Sequence, residues 1–200
     1  MCIRDRGIIG QEIKMYDDSP DWRVMFNMLE GMYHNHPVKI DIAGTVETIA
    51  EITAEKLYEV YNVFYNLNNM ILCVAGNVTV DGVLKVADKI LKPCEKKEIK
   101  NYFETEPYEI KEPYVEQTFP VSMPLFNLGF KEKADKPLNE KQLACTDILL
   151  SALASNTSML YRNLMDSNLI NSSFSYELFE GPGYCSVIFG GESRLSLIHI

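Results

Sequence analysis

Three kinds of side chain in this chain could do chemistry, and none completes a reactive set by its own spacing. Glu12 lies in the run Gly7-Ile8-Ile9-Gly10-Gln11-Glu12-Ile13-Lys14-Met15-Tyr16, followed by Asp17 and Asp18. Acids near helix ends are mostly solvated or interact favourably with the helix dipole. A carboxylate also suits zinc, but a catalytic zinc takes three protein ligands and a water, so Glu12 alone cannot hold one. His34 and His36 are two apart and would point to different sides of a helix. In an extended segment they share a face, yet no third ligand is adjacent, and the residue types read as loop or helix-end positions. The five cysteines, at positions 2, 73, 94, 145 and 185, contain no CxxC pair. Cys73 and Cys185 fall inside apolar runs where a buried free thiol is ordinary. There is no GxSxG elbow, no glycine-rich phosphate loop before a helix, and no cysteine beside a suitable histidine base.

The elements that must position these groups are legible from periodicity. Ile8, Ile9, Ile13 and Met15 give residues 7–16 a helical spacing. Asp17-Asp18-Ser19-Pro20 interrupts it, since proline tolerates the first turn of a helix but not its interior. A second helical run follows with Trp22, Val24, Met25, Met28, Leu29 and Met32 as its buried face, ending at His34-Asn35-His36-Pro37. Residues 38–44 read as an extended surface loop, and Thr45 and Thr53 suit N-cap positions. Leu57, Val60, Tyr61, Phe64 and Tyr65 mark a core-facing helix. Met70 to Ala75 is a continuous apolar run that predicts a strand buried on both faces. A helix from about Thr79 to Leu91 follows, with Val83, Leu84, Val86, Ala87, Ile90 and Leu91 facing inward. Residues 92–114 carry dense charge and three prolines and read as a surface connection. Strands are predicted at 115–122 and 125–130. A helix opening at Leu138 or Asn139 comes next, with Leu143, Ala144, Ile148, Leu149 and Ala152 as its apolar positions. A short helix at 158–165 and strands near 170–179 and 184–189 complete the order. Gly181-Pro182-Gly183 predicts a hairpin between the last two.

Composition sets the outer limits. Two hundred residues with 46% apolar content can bury a sizeable core. A net charge of −9 opposes general binding to nucleic acid or an anionic membrane surface. No uninterrupted apolar run approaches the roughly 18 residues of a membrane span. The odd, scattered cysteines suit a reducing compartment, and the expectation is a cytoplasmic protein without nucleic-acid or membrane partners. The ends, residues 1–6 and 193–200, resemble translated sequencing-adapter read-through and are expected to be a non-native leader and tail.

The run from Arg6 to Trp22 resembles the second metal-binding helix of the insulinase or pitrilysin family of zinc peptidases, peptidase family M16. Further matches follow in that family's order. They are His36-Pro37, Gly44-Thr45-Val46-Glu47-Thr48-Ile49, Ile52-Thr53, Asn69-Met70, Val74-Ala75-Gly76-Asn77-Val78, Pro124-Leu125-Phe126, Gly129-Phe130-Lys131, Ser158-Met159-Leu160-Tyr161 and Gly190-Gly191-Glu192-Ser193. The likeness spans nearly the whole chain and is nearest to the bacterial cytoplasmic branch. It implies an α+β fold, a layered mixed or antiparallel sheet with packed helices, similar to the ferredoxin-like metallohydrolase domain.

In that family an HxxEH helix supplies two histidine ligands and the general base, and a glutamate on a later helix is the third ligand. Glu12 matches that glutamate, and the resemblance therefore implies Glu12 as a Zn2+ ligand in an intact protein. No HxxEH occurs in these residues, and the resemblance places it upstream of Met1. A second glutamate of the family, seven residues before the ligand, meets Asp5 here, which lies in the suspect leader and is given no role. Residues 7–92 are then expected to be the C-terminal part of the metal-site half of an M16 domain, 93–114 its charged connection, and 115–192 the second half. The expected activity of the intact protein is peptide-bond hydrolysis by metal-activated water. A peptide or protein is the implied substrate and a second M16-like domain or subunit the implied partner. The chain by itself is expected to have no catalytic residue, no tight zinc and no activity. The competing expectation is a non-catalytic M16-like subunit acting as scaffold or chamber wall.

Overall fold

The computed structural model describes residues 3–99, 102–134 and 136–193, with side chains from Arg6 onward. The expected tail, beyond Ser193, and the first two residues of the expected leader lie outside them. The helices are α1 (Ile3–Asp17), α2 (Pro20–Met32), α3 (Val46–Ala50), α4 (Ala54–Phe64), α5 (Val80–Ile90), α6 (Glu140–Ala154) and α7 (Met159–Asp166). The strands are β1 (Leu125–Lys131), β2 (Ser175–Gly181) and β3 (Tyr184–Glu192). The chain divides into two compact units, one of Met1–Ile8 with Val46–Tyr102 and one of Ile9–Thr45 with Phe103–Ile200.

In the second unit three strands form an antiparallel sheet in the order β1-β3-β2. The β2–β3 hairpin turns at Gly181-Pro182-Gly183, where Gly183 takes φ of +85°, a conformation that suits glycine. Pairing of Leu125 with Glu192 and of Lys131 with Ser186 sets the register. It puts Asn127, Gly129, Lys131, Ser186, Ile188 and Phe179 on one face. Helix α2 packs on that face, so closely that a Cβ on Gly129 would collide with the sulfurs of Met28 and Met32. Leu29, Met32 and Tyr33 are the buried centre, joined by Met25, Phe26, Met28, Val38, Phe179 and Tyr184. A fully buried apolar side chain such as Leu29 contributes about 1.5–3 kcal/mol, and the partly buried ones less.

The opposite sheet face carries Leu128, Phe130, Val187 and Phe189. Leu128 and Phe130 remain exposed, while α6 covers β2. Helix α6 starts with a capping box, Asn139 and Gln142 each accepting the other's backbone N–H. Its buried residues are Leu150 and Ala154, whereas Ile148 and Leu149, expected inside, are exposed. This helix is apolar around most of its circumference, so periodicity does not select a face. The stretch Glu140–Asp166 has the length and mean hydropathy, 1.2, of a membrane span. It is nevertheless two helices, separated by Ser155 to Ser158. The 15 residues of α6 rise about 22 Å, short of a roughly 30 Å bilayer core.

The first unit contains α3, α4, α5 and the extended segment 70–75. Thr53 caps α4 through its hydroxyl, as expected, and Thr79, where a helix is expected to begin, caps α5 in the same way. Asn66, 8% exposed, turns the chain after α4 and donates to the Glu95 carbonyl at 3.0 Å. The expected burial differs. Residues 70–75 join no ladder among the described residues, Ile71 is 96% exposed, and Cys73 is exposed with it. The apolar faces of α4 and α5 are likewise open at Val60, Tyr61, Phe64, Leu84, Val86 and Ile90. Amphipathic elements bury an apolar face only against a second layer, and the described residues of this unit provide none. The segment 115–122, also expected as a strand, has no ladder partner among the described residues. It is fixed to α2 instead, through Asn27 and Arg23 on Gln117.

The open apolar faces predict self-association of this 200-residue chain. Sedimentation velocity is expected to show concentration-dependent species, and a hydrophobic dye is expected to bind. Ile71→Lys with Ile90→Lys reduces both, and a monodisperse monomer that excludes dye would contradict the assignment.

Candidate functional site

Glu12 occupies the middle of α1, exposed, one residue before Ile13, which is 4% exposed and anchors the helix. Among the described residues its carboxylate has no hydrogen-bond or ion-pair partner. The helix ends at Asp17, and the next begins at once: Ser19 caps α2 by accepting from the Trp22 N–H, with Pro20 in the first turn. The two helical runs are thus two separate helices. Across this junction the Tyr16 and Trp22 rings stack, centroids 4.8 Å apart and planes 27° apart. The Trp22 indole Nε1 donates to Asp41 Oδ2, and Asp41 Oδ1 accepts from the Ala43 N–H at 2.9 Å. Asp17 pairs with Arg23 at 3.7 Å, an exposed pair of small energetic weight.

At the other end of α2 lies the most heavily bonded polar group. Glu106 accepts the backbone N–H groups of His34, Asn35 and His36 at 2.7–2.8 Å and the Lys131 ammonium at 2.6 Å. Both side chains are buried, 9% exposed for Glu106 and 4% for Lys131. Lys131 also donates to the Met32 and Glu109 carbonyls and sits 4.7 Å from the Tyr33 ring centre. Burial pushes the Glu106 carboxyl up, but the Lys131 ammonium and the three N–H donors outweigh it and hold its pKa at about 2. Burial pushes the Tyr33 phenol up against the Ser186 hydrogen bond, and it pushes the Cys185 thiol up as well, leaving that sulfur an inert core atom.

His36 is buried, 3% exposed, with both ring nitrogens engaged. Nδ1 accepts from the Val38 N–H at 3.1 Å, so Nε2 carries the proton and donates to the Pro182 carbonyl at 3.0 Å. Its ring stacks on Phe103 at 4.9 Å. The His36 ring therefore fastens a loop, whereas His34 takes part through its backbone N–H and carbonyl, its ring Nε2 being buried without a hydrogen-bond partner among the described residues. Sequence reasoning missed Glu106, placed in a surface connection, and the pairing of Trp22 with Asp41. The only advance signal for Glu106 was an acid in a proline-rich segment without helical spacing.

The donor chemistry of Glu12 suits zinc as one oxygen ligand: exposed, helix-borne and unengaged. The set is incomplete, because no group of three His, Cys, Asp or Glu side chains able to hold a metal occurs among the described residues. Glu106 is no substitute, since its oxygens are committed to four donors.

Comparison with known proteins bears on the whole chain. The family model of the Peptidase M16 inactive domain matches residues 51–198. The uncharacterized zinc protease YmfH of Bacillus subtilis is 36% identical over 199 residues, covering 95% of this chain and 46% of its own length. The crystal structure of a putative M16-like peptidase from Alicyclobacillus acidocaldarius superposes with a TM-score of 0.86 at 34% identity, covering 96% of this chain and 46% of that one. A protease from Helicobacter pylori shares the fold, with a TM-score of 0.77 at 22% identity over 96% of this chain and 47% of its own. This chain thus spans about half the length of the relatives it matches, and Glu12 lies before the segment matched by the inactive-domain model.

Glu106→Gln removes one partner of a buried pair and is expected to destabilise the second unit by about 3–5 kcal/mol near neutral pH. The folded carboxyl lies below its ordinary value of 4.5, so its stabilisation is full above that value and fades as the pH falls towards 2. Denaturant unfolding of both proteins at pH 7 and in acid checks this. Equal stability at pH 7 would show that the pair contributes nothing.

Proposed function

Because the chain belongs to the M16 peptidase family, we propose that it is part of a zinc-dependent peptidase and contributes Glu12 as a carboxylate ligand of the metal. The observation that carries this is the Glu12 carboxylate itself, exposed at mid-helix and without a partner among the described residues. A structural acid in this fold looks different: Glu106 is buried and held by four donors. When bound, zinc would supply a water acidified towards neutrality for attack on a peptide carbonyl. The chain's own share is narrower. Ile13 seats α1, Glu12 offers an oxygen, and α2 ties both to the sheet. The two imidazoles and the general base of this reading come from residues outside these 200, which contain no HxxEH.

A peptide is the proposed substrate and a second M16-like domain the proposed partner, supported by the 46% of each similar full-length chain that this one covers. A second reading, a non-catalytic scaffold or chamber wall, is favoured by the match of residues 51–198 to a domain described as inactive. The two readings diverge at Glu12, which a wall does not need.

Metal analysis and peptide cleavage test the proposal. The 200-residue chain is expected to show neither stoichiometric zinc nor cleavage. The protein extended by its natural flanking sequence is expected to carry an HxxEH and bind zinc. There Glu12→Gln weakens zinc by at least the about tenfold seen when even a ligand's hydrogen-bond partner is lost. An extended protein without HxxEH, or zinc affinity indifferent to Glu12→Gln, would favour the scaffold.

A further inference from the structure

We infer that Trp22 and Asp41 are positioning residues that set the direction of α1 and with it the location of the Glu12 carboxylate. The inference rests on the reading of Glu12 as a metal ligand. Metal ligation tolerates displacements of only a few tenths of an ångström, so a ligand on a helix needs that helix fixed in both rotation and angle. The first part of α1 is held at Arg6, whose guanidinium donates to the Ile52 carbonyl at 2.7 Å. Around Glu12, however, Ile13 alone cannot do this, because one buried side chain leaves this part of the helix free to pivot about it.

The second fixed point is Tyr16. It stands four residues after Glu12 and so occupies the same face of α1 one turn further on. Its ring lies against Trp22 at 4.8 Å. Trp22 is in turn held on three sides. Phe26, one turn along α2, packs at 5.2 Å, the Asp41 carboxylate accepts the indole N–H, and Ser19 accepts the Trp22 backbone N–H.

Asp41 is itself locked in a tight turn. Its second oxygen accepts from Ala43, its carbonyl accepts from the Gly44 N–H at 2.9 Å, and Gly44 adopts φ of +70°. That positive φ favours glycine and closes the loop over the indole. A charged acceptor on the indole N–H makes a stronger and more directional bond than a neutral one. The result is an elbow in which an exposed loop determines where α1 points. The Arg23 and Asp17 pair spans the same junction, but at 3.7 Å and largely exposed it gives little restraint.

Trp22 is the only tryptophan in the chain, so its fluorescence reports on the elbow directly. Asp41→Asn removes one of two carboxylate acceptors, and Trp22→Phe keeps an aromatic ring but deletes the indole N–H. In the 200-residue chain both are expected to speed amide exchange of residues 12–17 while exchange in β1 and β3 is unchanged. Asp41→Asn also shifts the tryptophan emission. In the protein extended by its natural flanking sequence, both weaken zinc by about tenfold in chelator competition, with thermal unfolding of the sheet unmoved. Lys14→Ala, on α1 but away from the elbow, changes nothing.

If Glu12→Gln weakens zinc while the elbow variants leave zinc and α1 exchange unchanged, the inference falls and the ligand reading stands. If Glu12→Gln leaves zinc unchanged, the ligand reading fails and the positioning role falls with it.

Discussion

The buried pair of Glu106 and Lys131 is the constraint on which the second unit depends. It joins three parts of the chain: the end of α2, the irregular segment after Tyr102, and the last residue of β1. Removing two ions from water costs several kcal/mol each, which a single contact does not offset. Here the charges are offset by number. Glu106 faces three N–H groups and an ammonium, and Lys131 faces two carbonyls, a carboxylate and an aromatic ring. Such satisfied networks specify one arrangement among several of similar apolar burial, and that is their use here. Helix α2 is held against the glycine-bearing face of β1 both by the seat of Met28 and Met32 over Gly129 and by this cluster.

From that fastening the remaining placements follow in sequence. Tyr33 lies beneath Lys131 and reaches Ser186 on the central strand, so β3 is tied to α2 as well as to β1. His36 extends the attachment to the β2–β3 turn. With α2 fixed at its C-terminal end, its N-terminal end offers Trp22 as a footing for α1. Chemistry, on the reading given above, is therefore located at the far end of a helix whose orientation is decided at the near end.

What the sequence made legible was local. Helix starts were recoverable where a hydroxyl or amide cap is named by the residue itself, as at Thr53, Thr79, Asn139 and Ser158. The hairpin at Gly181-Pro182-Gly183 was equally plain. Tertiary pairing was not legible. An acid in a proline-rich connection looks solvated whether or not three amides some 70 residues away converge on it, and nothing in its neighbours distinguishes the cases. The run 70–75 has the composition of a buried strand, but a strand is a relation between segments, and no described segment pairs with it. Helix α6 is too uniformly apolar for its buried face to be chosen by period. Glu12 was legible as a helix acid, and its chemical meaning came only with the ordered family resemblance.

The division of the chain has a kinetic consequence. Residues 46–102 are threaded between the two pieces of the second unit, so α2 meets its sheet only after a long excursion. Tyr33 and Ser186 are 153 positions apart, and contacts of such separation form late because loop closure precedes any reward. During synthesis the face of α2 bearing Leu29, Met32 and Tyr33 leaves the ribosome well before β3 does, and its contact with that strand must wait for it. For that interval the apolar core around Leu29 and Tyr33 is incomplete. A chaperone, or a pause in translation, would have its greatest effect in that window.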